Sequence, residues 1–89
     1  MKVIKKDGRL QELNVDKIMG SILNATIEKK LLLNESDVKI IAEDVIRCIK
    51  SIRKEGNTSS YEITGVVISI LSRDGFEDVI SSYVGYKKE

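Results

Sequence analysis

The hydrophobic pattern of this chain changes period once, at Leu13–Asn14, and that change fixes the kind of fold available to it. Up to Leu13 the spacing is that of short strands. Lys2-Val3-Ile4-Lys5 and Arg9-Leu10-Gln11-Glu12-Leu13 alternate polar and aliphatic residues on either side of the turn dipeptide Asp7-Gly8. From Asn14 onward the apolar residues recur at helical spacing. Asn14 is a good N-cap, and Val15, Ile18, Met19, Ile22 and Leu23 follow it in a helix expected to run to about Glu28. Asn34 caps a second helix, with Val38, Ile41, Ala42, Val45, Ile49 and Ile52 on its apolar face. Gly56-Asn57-Thr58 breaks that helix and supplies a short extended piece that can pair with the hairpin. Ser59 and Glu62 have capping-box spacing, and Ile63, Val66, Val67, Ile70 and Leu71 continue as a third helix. Asp74-Gly75 stops it, and Phe76, Val79, Ile80 and Tyr83 mark a fourth. The expectation is one α+β domain over residues 1–89: a four-helix bundle capped by an N-terminal β-hairpin and a short third strand.

Composition narrows the chemistry. Histidine is absent, which removes the commonest general base and metal ligand, and the carboxylates are scattered along helix faces that read as solvated. Neither a G-x-x-x-x-G-K-[ST] loop nor a G-x-G-x-x-G turn is present. An enzyme is therefore not expected. No apolar run is long enough to cross a bilayer, and Met1–Lys6 lacks the apolar block of a signal peptide. The single cysteine, Cys48, reads as a core or boundary residue in a reducing cytoplasm. A net charge of +1 gives no reason to expect nucleic-acid binding.

Local charge is more informative. Lys5, Lys6, Arg9 and Lys17 gather on the hairpin and on the first turn of the helix behind it. A lysine in a first helical turn adds to the positive end of the helix dipole, an arrangement that a bound anion turns to advantage. Two readings remain open at this point: a phosphate site, or ordinary solubilising lysines on a tight turn.

Val3-Ile4-Lys5-Lys6-Asp7-Gly8-Arg9 followed by Leu13-Asn14-Val15-Asp16-Lys17-Ile18 resembles the opening of the ATP-cone domain. Thr58-Ser59-x-x-Glu62-Ile63 is similar to the start of that family's third helix, and Tyr83-Val84-Gly85-Tyr86-Lys87 to its closing Tyr-x-x-Tyr-Arg. The resemblance implies a nucleotide-sensing regulatory module that binds ATP or dATP, with magnesium, and switches the activity or oligomeric state of a partner such as a ribonucleotide reductase. It places nucleotide contacts on Val3, Lys5, Lys6, Gln11, Leu13, Asn14, Lys17 and Ile18, and further on Ile63, Thr64 and Lys88. On this reading Val3, Leu13, Ile18 and Ile63 sandwich the adenine. Gln11 and Asn14 read its edge, and Lys5, Lys6 and Lys17 neutralise the phosphates.

The chain departs from the family pattern at Lys6, where arginine is usual and a bidentate grip is lost, at Leu13 in place of phenylalanine, and at Lys87 in place of the closing arginine. A cone that serves only as a protein-interaction module is the second reading, and a DNA-binding module the third. The 89 residues hold a cone alone, as a free-standing sensor or as part of a longer protein. Two finer expectations follow. The hairpin closes through a three-residue loop, Lys6-Asp7-Gly8, with Gly8 left-handed, so that Val3, Lys5, Arg9, Gln11 and Leu13 share one face and Ile4 and Leu10 the other. Ile40, Ile46 and Ile68 lie off the main apolar stripes; either some of them form a patch through which cones pair with each other or with a partner, or the stripes are wider than the spacing suggests.

Overall fold

A one-residue change in turn length would turn every hairpin side chain over, so the hairpin is the place to begin. The computed structural model describes residues 1–27 and 33–88, with side chains through Lys87. Strands β1 (Lys2–Ile4) and β2 (Leu10–Glu12) pair antiparallel with Val3 opposite Gln11 and Ile4 opposite Leu10. The Lys5 N–H donates to the Arg9 carbonyl at 2.8 Å, and the Gly8 N–H to the Lys5 carbonyl at 2.9 Å. These bonds enclose Lys6-Asp7-Gly8 as a three-residue loop. Gly8 takes φ +86°, a conformation that costs an L side chain strain. Val3 is buried on the inner face, whereas Ile4 and Leu10 stand out in solvent on the outer one. The register expected from sequence is the register observed.

Four helices follow among the described residues: α1 (Val15–Ile27), α2 (Glu35–Ile52), α3 (Ser60–Arg73) and α4 (Glu77–Lys88). The first three begin where the sequence supplies a cap. Asn14 Oδ1 accepts from the Asp16 N–H at 2.8 Å, and Asn34 Oδ1 from the Asp37 N–H at 2.8 Å. The expected first-helix end at Glu28 lies outside the described residues. α3 closes in a Schellman motif: Gly75 at φ +83° directs its N–H to the Ser72 carbonyl, and the Phe76 N–H reaches the Leu71 carbonyl at 2.8 Å. Between α2 and α3 lies β3 (Thr58–Ser59), which pairs parallel with β1, so the sheet order is β2-β1-β3.

The capping box at the head of α3 is only half made. Ser59 Oγ accepts from the Glu62 N–H at 3.1 Å, but the Glu62 carboxylate does not reach back. It accepts instead from Arg53 Nε at 2.8 Å and from Thr58 Oγ1 at 2.6 Å. A charged guanidinium at the end of α2 is a stronger partner than a neutral amide, and Ser59 is itself paired with Ile4 in the sheet. The carboxylate thus ties α2, β3 and α3 together.

The core is the interior of the bundle, where Ile22, Val38, Ala42, Val45, Ile49, Val67, Leu71 and Tyr83 are wholly buried. Two expectations about helix faces need correction. Ile52, placed on the apolar stripe of α2, is 59% exposed because it is the last helical residue and lies past the buried face. Ile46 and Ile68, placed off the stripes, are half-buried against the core, which leaves Ile40 as the exposed member of that trio. The apolar faces are wider than a three- or four-residue spacing suggests. Asp44 and Glu62 likewise depart from the expectation of solvated carboxylates: both are half-buried, Asp44 bridging Arg47 and Arg73.

Candidate functional site

The sheet lies over the helix bundle where α1 and α3 begin and α4 ends, and two adjoining clefts open there. The smaller, about 150 Å³, is lined by Val3, Gln11, Leu13, Asn14, Lys17, Ile18, Ser21 and Ile63, with Glu12 at its edge. The larger, about 410 Å³, is lined by Lys6, Asp7, Arg9, Thr64 and Tyr86. Lys5, Ser60 and Lys87 border both. The hairpin register makes this possible: Val3 and Gln11 face inward together, and Lys5 extends the same face to the turn.

The two clefts differ in character. The smaller has aliphatic walls and two amides. Asn14 is partly spent, because its Oδ1 holds the N-terminus of α1, so its NH2 is the group left for a ligand. The side chain of Gln11 makes no hydrogen bond to another described residue and keeps both functions. The larger cleft is cationic. Among the described residues, Lys5, Lys6, Lys17 and Lys87 have no carboxylate partner within salt-bridge distance, whereas Asp7 is spent on Arg9 at 2.6 Å. The Arg9 backbone N–H and guanidinium hold Asp7 below the usual carboxylate range. Partial burial pushes the Lys87 ammonium down, and the charges of Lys5 and Lys6 push it further. Lys6 Nζ donates to the Lys87 carbonyl at 3.2 Å and lies 5.9 Å from the centre of the Tyr61 ring. The chain therefore holds like charges together around an opening bordered by Ser60, the first residue of α3.

A family model described as the ATP cone domain matches residues 1–89, the full length of the sequence. The chain belongs to the ATP-cone family. No curated protein matches it. The ATP cone is a nucleotide-sensing regulatory domain, and ATP cones generally bind adenine nucleotides. No helix among the described residues of this cone is long and apolar enough to cross a membrane.

Of the positions that the sequence singled out, Val3, Lys5, Gln11, Leu13, Asn14, Lys17, Ile18 and Ile63 line the smaller cleft, and Lys6 and Thr64 the larger. Lys17 and Lys6 therefore do not share a cleft. The side chain of Lys88 lies outside the described part of the cone. Sequence reasoning passed over Ser21, Ser60, Tyr86 and Lys87 as site residues. Lys87 was visible as the closing basic residue. Ser21 and Ser60 carry no signal of their own, since a serine in a first turn or on a helix flank is ordinary.

Proposed function

We propose that this cone binds ATP or dATP across the two clefts, the adenine in the smaller and the phosphates in the larger, and passes occupancy on as a regulatory switch. One observation carries the reading: an aliphatic slot with two amides opens directly into a pocket of lysines that lack counter-ions. Val3, Leu13, Ile18 and Ile63 offer the purine apolar walls. The Asn14 NH2 donates to a ring nitrogen while Gln11 Oε1 accepts from the adenine amino group. Lys5 and Lys87, which border both clefts, span the sugar and the first phosphate, and Lys6 and Arg9 take the outer ones. Lys17 adds positive charge at the adenine end. A magnesium ion would ride on the phosphates. The regulated partner is a protein in the cytoplasm, such as a ribonucleotide reductase, or a second copy of the chain; no catalytic role is assigned to the cone itself.

Thermal denaturation with millimolar MgATP and MgdATP tests the reading. The melting temperature rises with ligand because only the folded state binds. Lys6→Ala and Lys17→Ala remove most of that rise. Both side chains are exposed and have no carboxylate partner among the described residues, so each variant keeps its ligand-free stability to within about 0.5 kcal/mol. A folded protein that shows no response to either nucleotide is a cone that has lost its ligand, and the binding claim fails.

A further inference from the structure

The Tyr83 hydroxyl is buried and has no hydrogen-bond partner among the described residues. Its ring is fully enclosed in the core, on the helix turn before Lys87. Burial raises the hydroxyl's pKa, and the Ser21 and Thr64 hydroxyls come close enough to moderate that rise without reaching bonding geometry. Both neighbours have their protons committed elsewhere. Ser21 Oγ donates to the Ile18 carbonyl at 2.9 Å, and Thr64 Oγ1 to the Ser60 carbonyl at 2.9 Å. Ser21 is part of the wall of the smaller cleft and Thr64 of the larger. An orphaned buried hydroxyl is rare enough to need a reason, and this one lies directly behind the walls of the site.

We propose that Tyr83 is a positioning residue for a phosphate in the larger cleft and acts through Thr64. A phosphate oxygen accepts a hydrogen bond from Thr64, whose side chain turns about its Cα–Cβ bond off the Ser60 carbonyl. That carbonyl keeps its place in the helical ladder of α3, so nothing is orphaned in exchange. That turn of the side chain moves the Thr64 oxygen itself into bonding geometry with the Tyr83 hydroxyl, from which it accepts. The hydrogen bond missing in the empty protein forms in the occupied one. Occupancy of a surface cleft is thereby felt inside the bundle, on the helix that also carries Lys87. The inference rests on the clefts being the ATP site.

Two variants and one nucleotide test it. Tyr83→Phe removes a hydroxyl that is idle without ligand, so the ligand-free melting temperature stays level or rises. The same change weakens MgATP binding about five- to tenfold, the value of one hydrogen bond. Thr64→Val also weakens MgATP binding, and adding Tyr83→Phe to it has no further effect; Thr64→Ser keeps the wild-type affinity. A readout that leaves Tyr61 and Tyr86 in place is the MgATP difference spectrum of the wild-type protein minus that of Tyr83→Phe, which isolates the contribution of Tyr83. In it MgATP shifts the tyrosine near-ultraviolet absorption, and Thr64→Val abolishes the shift. The inference is overturned if Tyr83→Phe lowers the ligand-free melting temperature, binds MgATP like wild type, or weakens binding equally with and without Thr64. Wild-type protein that binds no MgATP overturns the ATP reading as well, and the two failures are thus told apart.

Discussion

At the scale of single residues, charge is arranged in two opposite ways. Glu62 and Asp44 are answered charges. Hydrogen bonds from Arg53 and then Thr58 hold Glu62 below its ordinary value of 4.5, and hydrogen bonding and charge from Arg73 and Arg47 hold Asp44 below 3.8. A depressed carboxylate contributes stability that is present above its unfolded pKa and lost as pH falls through the folded one. The acid limb of the stability curve therefore lies below those ordinary values, and Glu62→Gln and Asp44→Asn flatten it in a urea titration repeated across pH. Lys87 is an unanswered charge. Its folded pKa lies below the ordinary 10.5, so the folded state binds fewer protons than the unfolded one between the two values, and stability rises with pH there. A bound phosphate reverses the burial and repulsion that depress it. Nucleotide binding then takes up protons, and affinity declines as pH climbs through the pKa of the ligand-free lysine. Calorimetry in alkaline buffers of different ionisation heat reads the uptake directly, and Lys87→Met removes it. Binding that is independent of pH from neutrality to that window would remove Lys87 from the phosphate site.

At the scale of elements, the hairpin is the part whose geometry decides whether a single pocket exists. A two-residue turn at Asp7-Gly8 would set Val3 and Lys5 on the face opposite Gln11. The Lys6-Asp7-Gly8 loop avoids this because Gly8 accepts φ +86°. An added Cβ at Gly8 meets nothing within 4 Å, so substitution acts through backbone strain alone. Gly8→Ala is expected to cost roughly 1–2 kcal/mol of stability, the penalty of the left-handed conformation. It lowers nucleotide affinity further by favouring the other register. Gly8→Asn, which tolerates that conformation, retains more of both. Cross-strand contacts between Val3 and Gln11 seen by NMR report the register, and an Ala variant that keeps them and still binds poorly would separate affinity from hairpin geometry.

At the scale of the whole molecule, 89 residues make a small core, and ligand binding should dominate its measured stability. Nucleotide at a hundred times its dissociation constant adds about 2.7 kcal/mol, which for a domain of this size raises the melting temperature by roughly 10 °C or more. The exposed isoleucines bear on association. With Ile46 and Ile68 packed on the core, Ile40 at 58% exposure is the side chain left to test for pairing. Light scattering of wild-type protein with MgATP is expected to give a mass above the 10.0 kDa of one chain, and Ile40→Glu to return it toward that value with little loss of stability. One-chain mass in every ligand state would exclude a second copy as the partner.

The sequence by itself determined the elements, the starts of the first three helices and the stop of α3. Period-two and helical spacing, Asn14, Asn34 and Ser59 as caps, and Gly8 and Gly75 at left-handed positions are local signals. The energies behind them act between residues close in the chain, so they are legible before any fold is known. The hairpin register was legible for the same reason, and with it the inward set of Val3, Lys5 and Gln11. Only the tertiary structure decided what those residues meet. It brought Ser60 and Lys87, far apart in the chain, to the seam between the two clefts and gave Lys17 and Lys6 to different clefts. It drew Glu62 away from its own helix start to Arg53, and it buried the Tyr83 hydroxyl without a partner. Each of these depends on how helices pack across the bundle, where burial and charge act through space between residues whose separation in sequence carries no trace of their contact.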